Sequence, residues 1–160
     1  MTQLVIDANV LRDTCYSANG KAREVLTIVR KRSCNVVVCK EIRKEYKSQA
    51  NHPDCKNQKS LQKWYELMRS KFFKKVKIDK NDINTCFSRL ISQRRFGDGK
   101  DIIYVKTAEK IRDNDKTLIA DERHFQNAHS CITQLGIRRL ELDEVVDVLK
   151  SKSYINHKKH

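Results

Sequence analysis

Proline and glycine are scarce in this chain, with one proline and four glycines in 160 residues. That scarcity excludes collagen-like and proline-rich architectures and leaves a chain able to run in regular elements. No stretch of ~18 apolar residues is present to cross a bilayer as a helix. The N-terminus enters a strand-like run without a signal-peptide pattern, so a cytoplasmic protein with no membrane partner is expected. The six cysteines, at positions 15, 34, 39, 55, 86 and 131, include no CxxC pair. They outline neither a zinc site nor a disulfide framework, and read as reduced, mostly small core residues; disulfide-rich hyperthermophile cytosols are the exception to that rule. Internal repeats and low-complexity segments are absent.

Acid is also in short supply. Lys and Arg outnumber Asp and Glu by 34 to 20, a net charge of +14. The resulting positive field favours polyanions such as nucleic acid over a neutral or cationic partner. The length suits one domain with a real core. We expect a single domain over residues 1–150, a basic helical insertion at about 56–97, and a basic tail over 151–160.

What is there is a set of short apolar runs alternating with helical patterns. Leu4-Val5-Ile6, Asn35-Val36-Val37-Val38-Cys39 and Thr117-Leu118-Ile119-Ala120 read as buried strands, and residues 137–142 as a last one. Between the first two, Ala22, Val25, Leu26 and Val29 recur at helical spacing over residues 21–32. Residues 40–50 read as a helix broken at Pro53. Leu61, Trp64, Tyr65, Met68 and Phe72 form a helical stripe, with Lys71, Lys74, Lys75 and Lys77 crowding its end. A helix near 83–91 completes a hairpin-like insertion, followed by the basic Arg94-Arg95-Phe96. Aromatics interleaved with cations suit single-stranded RNA, whereas the same stripe turned inward is core. A helix follows from Gly97-Asp98-Gly99-Lys100-Asp101 to about residue 112, and residues 140–149 close the domain. Strands alternating with helices predict a three-layer α/β/α fold around a mainly parallel sheet of four or five strands.

In such a sheet the ligand crevice lies beyond the carboxyl ends of the strands. Asp7 and Asn9 follow the first run, Glu41 or Glu45 the second, and Asp121 the third; Asp98 and Asp101 start the helix that leads into the third. Each acid alone has an ordinary explanation as a helix cap or surface residue. Converging, the carboxylates repel one another unless a cation offsets them. Hard oxygen donors suit Mg²⁺ or Mn²⁺. An acidic metal pocket in a basic chain is the pattern of a nuclease, in which surface cations gather the polyphosphate and metals activate water. His124 is a candidate for proton transfer, with a structural role as the plainer reading.

These residues resemble the PIN-domain ribonucleases over most of the chain. Val5-Ile6-Asp7-Ala8-Asn9-Val10-Leu11 resembles the family's first motif, with a metal-binding aspartate and a supporting residue two positions on. The stretch from Val36 to Tyr46 resembles the second, in which the acid preceding an aromatic is the functional one, selecting Glu45 over Glu41. Asp101-Ile102-Ile103 with Ala108 resembles the third, with Asp98 a second claimant one helical turn away. Leu118-Ile119-Ala120-Asp121, with Phe125 beyond it, resembles the fourth.

The resemblance implies a PIN-like fold and a metal site of Asp7, Glu45, Asp101 and Asp121, supported by Asn9 and Asp98. It implies hydrolysis of RNA phosphodiester bonds by a metal-activated water, leaving a 3′-hydroxyl and a 5′-phosphate. Candidate contacts to single-stranded or structured RNA are Lys71, Lys74, Lys75, Arg94 and Arg95. A stand-alone member is either the toxin of a VapC-like toxin–antitoxin pair, dimeric and neutralised by an antitoxin protein, or a nuclease processing ribosomal or transfer RNA. The long basic 56–97 segment departs from compact toxin-type members.

Two rival chemistries fail on single residues. A haloacid-dehalogenase-like phosphatase needs a second Asp at position 9, where this chain has Asn9; a receiver-like phosphoacceptor needs an acidic pair, where it has Asp7 alone. A non-catalytic PIN-like module binding RNA or protein through its basic face is the remaining alternative.

Overall fold

The computed structural model describes residues 2–16, 20–97 and 99–158, with side chains through Lys150. The elements in chain order are β1 (Gln3–Ile6), α1 (Ala8–Tyr16), α2 (Lys21–Lys31), β2 (Asn35–Val38), α3 (Lys40–Ala50), α4 (Gln58–Lys71) and β3 (Phe73–Lys75). They continue with α5 (Thr85–Ser92), α6 (Ile102–Glu109), β4 (Lys116–Ile119), α7 (Arg123–Asn127), α8 (His129–Gln134), β5 (Ile137–Leu140) and α9 (Leu142–Lys158). The five strands form one parallel sheet in the order β3-β2-β1-β4-β5. This is the three-layer α/β/α arrangement expected of a PIN-like fold.

The sheet's centre explains the continuous apolar runs. Leu4, Val5, Ile6, Val36, Val37, Val38, Leu118 and Ile119 are all fully buried, because parallel strands covered by helices on both faces have no solvent side to mark with polar residues. The two edge strands look different: β3 carries Lys74 and Lys75, and β5 carries Arg138 and Arg139. Charged edges of this kind discourage pairing with a second chain. Right-handed crossovers put α1 to α4 on one face and α5 to α8 on the other. In agreement, α1 to α4 contact one another while α6 lies on β1 and β4.

The 56–97 segment is corrected by the structure. It is not a helical hairpin set into the fold, because after α4 it supplies β3, whose Val36–Phe73 to Val38–Lys75 pairing extends the sheet. The lysines expected at a helix end are therefore divided, with Lys71 closing α4 and Lys74 and Lys75 in the edge strand. The aromatic stripe is core: Leu61, Trp64, Tyr65 and Met68 are buried, and the Trp64 indole donates to the Leu26 carbonyl at 2.9 Å. It is not a stacking platform for bases. The closing segment expected over residues 140–149 continues as α9 to Lys158, into the basic tail. Before α2 the structure adds α1, whose Val10, Leu11, Thr14 and Cys15 share one buried face.

The cysteines also depart from expectation. Cys15 is bonded to Cys55 and Cys86 to Cys131, whereas Cys34 and Cys39 are free and buried. Six cysteines allow fifteen complete pairings and spacing selects none of them. The first bridge ties the end of α1 to the α3–α4 loop, and the second ties α5 to α8. With the partners 40 and 45 positions apart in sequence, the loop-entropy relation assigns each bridge about 4 kcal/mol. The Cys15→Ser/Cys55→Ser variant is accordingly expected to melt about 10 °C below wild type in scanning calorimetry, as is wild type partly reduced at that bridge. An unchanged melting temperature would show that the bridge adds nothing to the fold.

Candidate metal centre

The cleft lies where the strand order reverses. From β1 the chain proceeds outward to β2, whereas from β4, the other neighbour of β1, it proceeds outward to β5. Helices leaving the two strands diverge to opposite faces, opening a crevice at their carboxyl ends. A cavity of ≈ 540 Å³ occupies that position, lined among others by Asp7, Asn9, Glu45, Asp101, Glu122 and His124. Arg12 and Lys100 are its cations.

Asp7 is the most enclosed of these acids, with 3 % of its surface exposed. Its position is fixed by the sheet, because its own N–H donates to Ile119 on β4 at 2.9 Å. The side chain receives Asn9 twice, from the backbone N–H at 3.3 Å and from Nδ2 at 3.2 Å. Burial nevertheless pushes the carboxyl up to about 7, aided by the negative charge of Glu122 and Asp101 and opposed by the Asn9 bonds. Asn9 also reaches across the cleft, donating from Nδ2 to Glu122 Oε2 at 3.2 Å.

Glu122 faces both halves of the cleft. Oε2 points to Asn9, and Oε1 lies 3.6 Å from His124 Nδ1. His124 is in turn 2.9 Å from Asp101 Oδ2, which also accepts the Gly97 N–H at 2.7 Å. A Cβ at position 97 would stand 2.5 Å from that same carboxylate oxygen, so a larger residue there would displace the Asp101 carboxylate from its place beside His124. The donor atoms of Asp101, Glu122 and His124 lie within 4.8 Å of one another, a group that could hold a metal ion and the one such group among the described residues. The donor set fits a divalent cation: carboxylate oxygens suit hard ions, and one imidazole nitrogen adds preference for transition metals.

Glu45 approaches from α3, where its carboxylate accepts the Tyr104 hydroxyl. Of the four acids expected to form the site, Asp7, Glu45 and Asp101 line the cleft and Asp121 does not. Asp121 turns to the other side of β4, where burial and the neighbouring charges of Glu141, Asp143 and Asp13 raise its carboxyl, against Arg139. Glu122 occupies the cleft in its place. Asp98 lies outside the described residues. Lys71, Lys75, Arg94 and Arg95 are exposed and Lys74 half-buried, and none lines the cavity.

Glu122 was missed in the sequence, although the adjacent Asp121-Glu122 pair was a signal that two registers were available, and His124 was read as a candidate for proton transfer and not as a metal donor. No protein-family model, curated protein or solved structure matches the chain.

Proposed function

We propose that the protein is a metal-dependent ribonuclease that hydrolyses phosphodiester bonds in the cleft at the β1–β4 edge. The observation carrying this reading is the meeting of Asp7, Glu45, Asp101, Glu122 and His124 in one cavity of a chain with net charge +14. Four carboxylates lining one cavity repel one another unless a cation offsets them. The residues that would hold the ions are Asp7, Glu45, Asp101, Glu122 and His124. A bound Mg²⁺ or Mn²⁺ supplies Lewis acidity, both activating water and offsetting charge that develops at phosphorus. The imidazole favours Mn²⁺ of the two.

The remaining tasks fall to the chain itself. Arg12 and Lys100 offer fixed positive charge for the phosphates flanking the reacting one. Asn9 bridges Asp7 and Glu122 by donating to both. Asn9 in place of a second aspartate also leaves no acid–base partner for phosphomonoester transfer through Asp7.

The direct test is Mn²⁺-dependent cleavage of end-labelled single-stranded RNA, with EDTA as control. The expected outcome is products ending in 3′-hydroxyl and 5′-phosphate; RNA binding with no cleavage at any Mn²⁺ concentration would instead establish the non-catalytic module. Binding has its own signature. Arg12→Gln/Lys100→Gln is expected to lower the slope of log affinity against log salt by about 1.4, two released counterions on a single strand. If Lys71, Lys74 and Lys75 extend the same track, their replacement by Gln lowers it by about 2. An unchanged slope assigns them to ordinary solvation.

A further inference from the structure

Two buried tyrosines flank Asp7. Tyr46 on α3 is fully buried and its hydroxyl donates to the carbonyl of Ile6, the residue before Asp7. Tyr104 on α6, 2 % exposed, accepts the N–H of Ala8, the residue after it, at 3.3 Å. The same Tyr104 hydroxyl donates its proton to Glu45 Oε2. A phenol has a single proton to give. Since Ala8 is itself a donor, that proton is committed to Glu45.

The consequence is a continuous connection from the backbone of the first acid to the side chain of the second. Glu45 is carried on a different element from Asp7, and a glutamate side chain has three rotatable bonds to fix. The bond to Tyr104 fixes one oxygen and leaves Oε1 for the cleft. The ring is held independently, edge-on to Phe125 with centroids 6.1 Å apart, so the hydroxyl's position does not depend on Glu45.

We infer that Tyr104 is a positioning residue of the proposed metal centre, holding the Glu45 carboxylate in register with Asp7 so that both present oxygens to the same cleft. The inference rests on the metal-centre reading, and goes beyond it by assigning an aromatic hydroxyl that touches neither ion nor phosphate. Residues in this relation to a metal ligand change metal affinity when altered, even though no direct bond is lost.

The test uses the full chain and Mn²⁺ alone as probe, with free Mn²⁺ followed by electron paramagnetic resonance. Tyr104→Phe keeps the ring against Phe125 and removes only the hydroxyl. It is expected to weaken Mn²⁺ binding roughly 10-fold or more, while binding RNA in EDTA as wild type does and melting within a few degrees of it. In a Glu45→Gln background the same substitution is expected to have no further effect, because its path to the metal is already cut. Equal Mn²⁺ affinity for Tyr104→Phe and wild type overturns the inference, as does an equal loss in both backgrounds, the mark of a general packing role. Absence of Mn²⁺ binding by wild type is a different result: it removes the metal-centre reading and this inference with it.

Discussion

Replacing Asp7 with Asn is expected to abolish cleavage and to make the metal-free protein more stable at neutral pH. Both effects have one origin. Asp7 is almost completely enclosed, and its carboxyl is pushed up to about 7 from an ordinary 3.8, first by burial and then by Glu122 and Asp101. Between these values the folded protein retains a proton that the unfolded chain has released, so stability falls as pH rises through that window. At about 1.4 kcal/mol for each pH unit, the loss attributable to Asp7 reaches about 4 kcal/mol above pH 7. Asn carries no charge and still accepts from Asn9 through its oxygen. Urea denaturation in EDTA is therefore expected to show Asp7→Asn more stable than wild type by a few kcal/mol at pH 8, with the difference closing towards pH 4. On the proposed metal-centre reading a divalent cation reverses the order, because it would bind the ionised carboxylate: Mn²⁺ is expected to stabilise wild type more at pH 8 than at pH 5, and to stabilise Asp7→Asn, which keeps Asp101, Glu122 and His124, less than wild type. Cleavage by the variant should fall on the order of a thousandfold, equivalent to several kcal/mol of lost charge stabilisation. A variant less stable than wild type at pH 8 in EDTA would mean that Asp7 is satisfied by its hydrogen bonds and needs no cation.

The parts of this arrangement that were legible in the sequence are those fixed by short-range chemistry. β1, β2 and β4 are buried on both faces and read as unbroken β-branched runs, and an acid placed where such a run turns into a helix stands out, as Asp7 does; Glu45, in the middle of α3, was selected over Glu41 only by the resemblance to the second motif. Three features needed longer-range information. β3 is three residues, Phe73–Lys75, between an amphipathic helix and a lysine cluster, and becomes a strand only because β2 offers it an open edge. The disulfides join cysteines 40 and 45 residues apart, a proximity created by the packing of α1 and α5 rather than by local pattern. The aromatic stripe of α4 had two valid readings until the Trp64–Leu26 contact turned it inward.

The fourth acid shows how register decides chemistry. Ile6 and Ile119 are paired across β1 and β4, so Asp7 stands level with Ala120, and side chains level with each other on neighbouring strands share a face of the sheet. Successive residues in extended chain alternate faces. Ala120 and Glu122 then fall on the side of Asp7, and Asp121 on the other. The extended backbone of Glu122, with φ −68° and ψ 152°, carries the alternation past the end of β4 before α7 begins. A motif comparison sees only an acid after an apolar run and selects Asp121; the pairing selects Glu122.

The two acids are therefore expected to separate sharply on substitution. Glu122→Gln removes the carboxylate standing between Asn9 and His124, and with it the charge shared by both halves of the cleft. Its single-turnover cleavage rate should fall on the order of a thousandfold, with Mn²⁺ affinity reduced and RNA affinity in EDTA retained. Asp121→Asn relieves repulsion from Glu141, Asp143 and Asp13 on the far side of β4. It should cleave within about threefold of wild type, a change below ~1 kcal/mol in the barrier. Measured side by side at saturating Mn²⁺, the reverse ranking, with Asp121→Asn inactive and Glu122→Gln active, would move the metal to the opposite side of β4 and remove the cleft at the β1–β4 edge from the reaction.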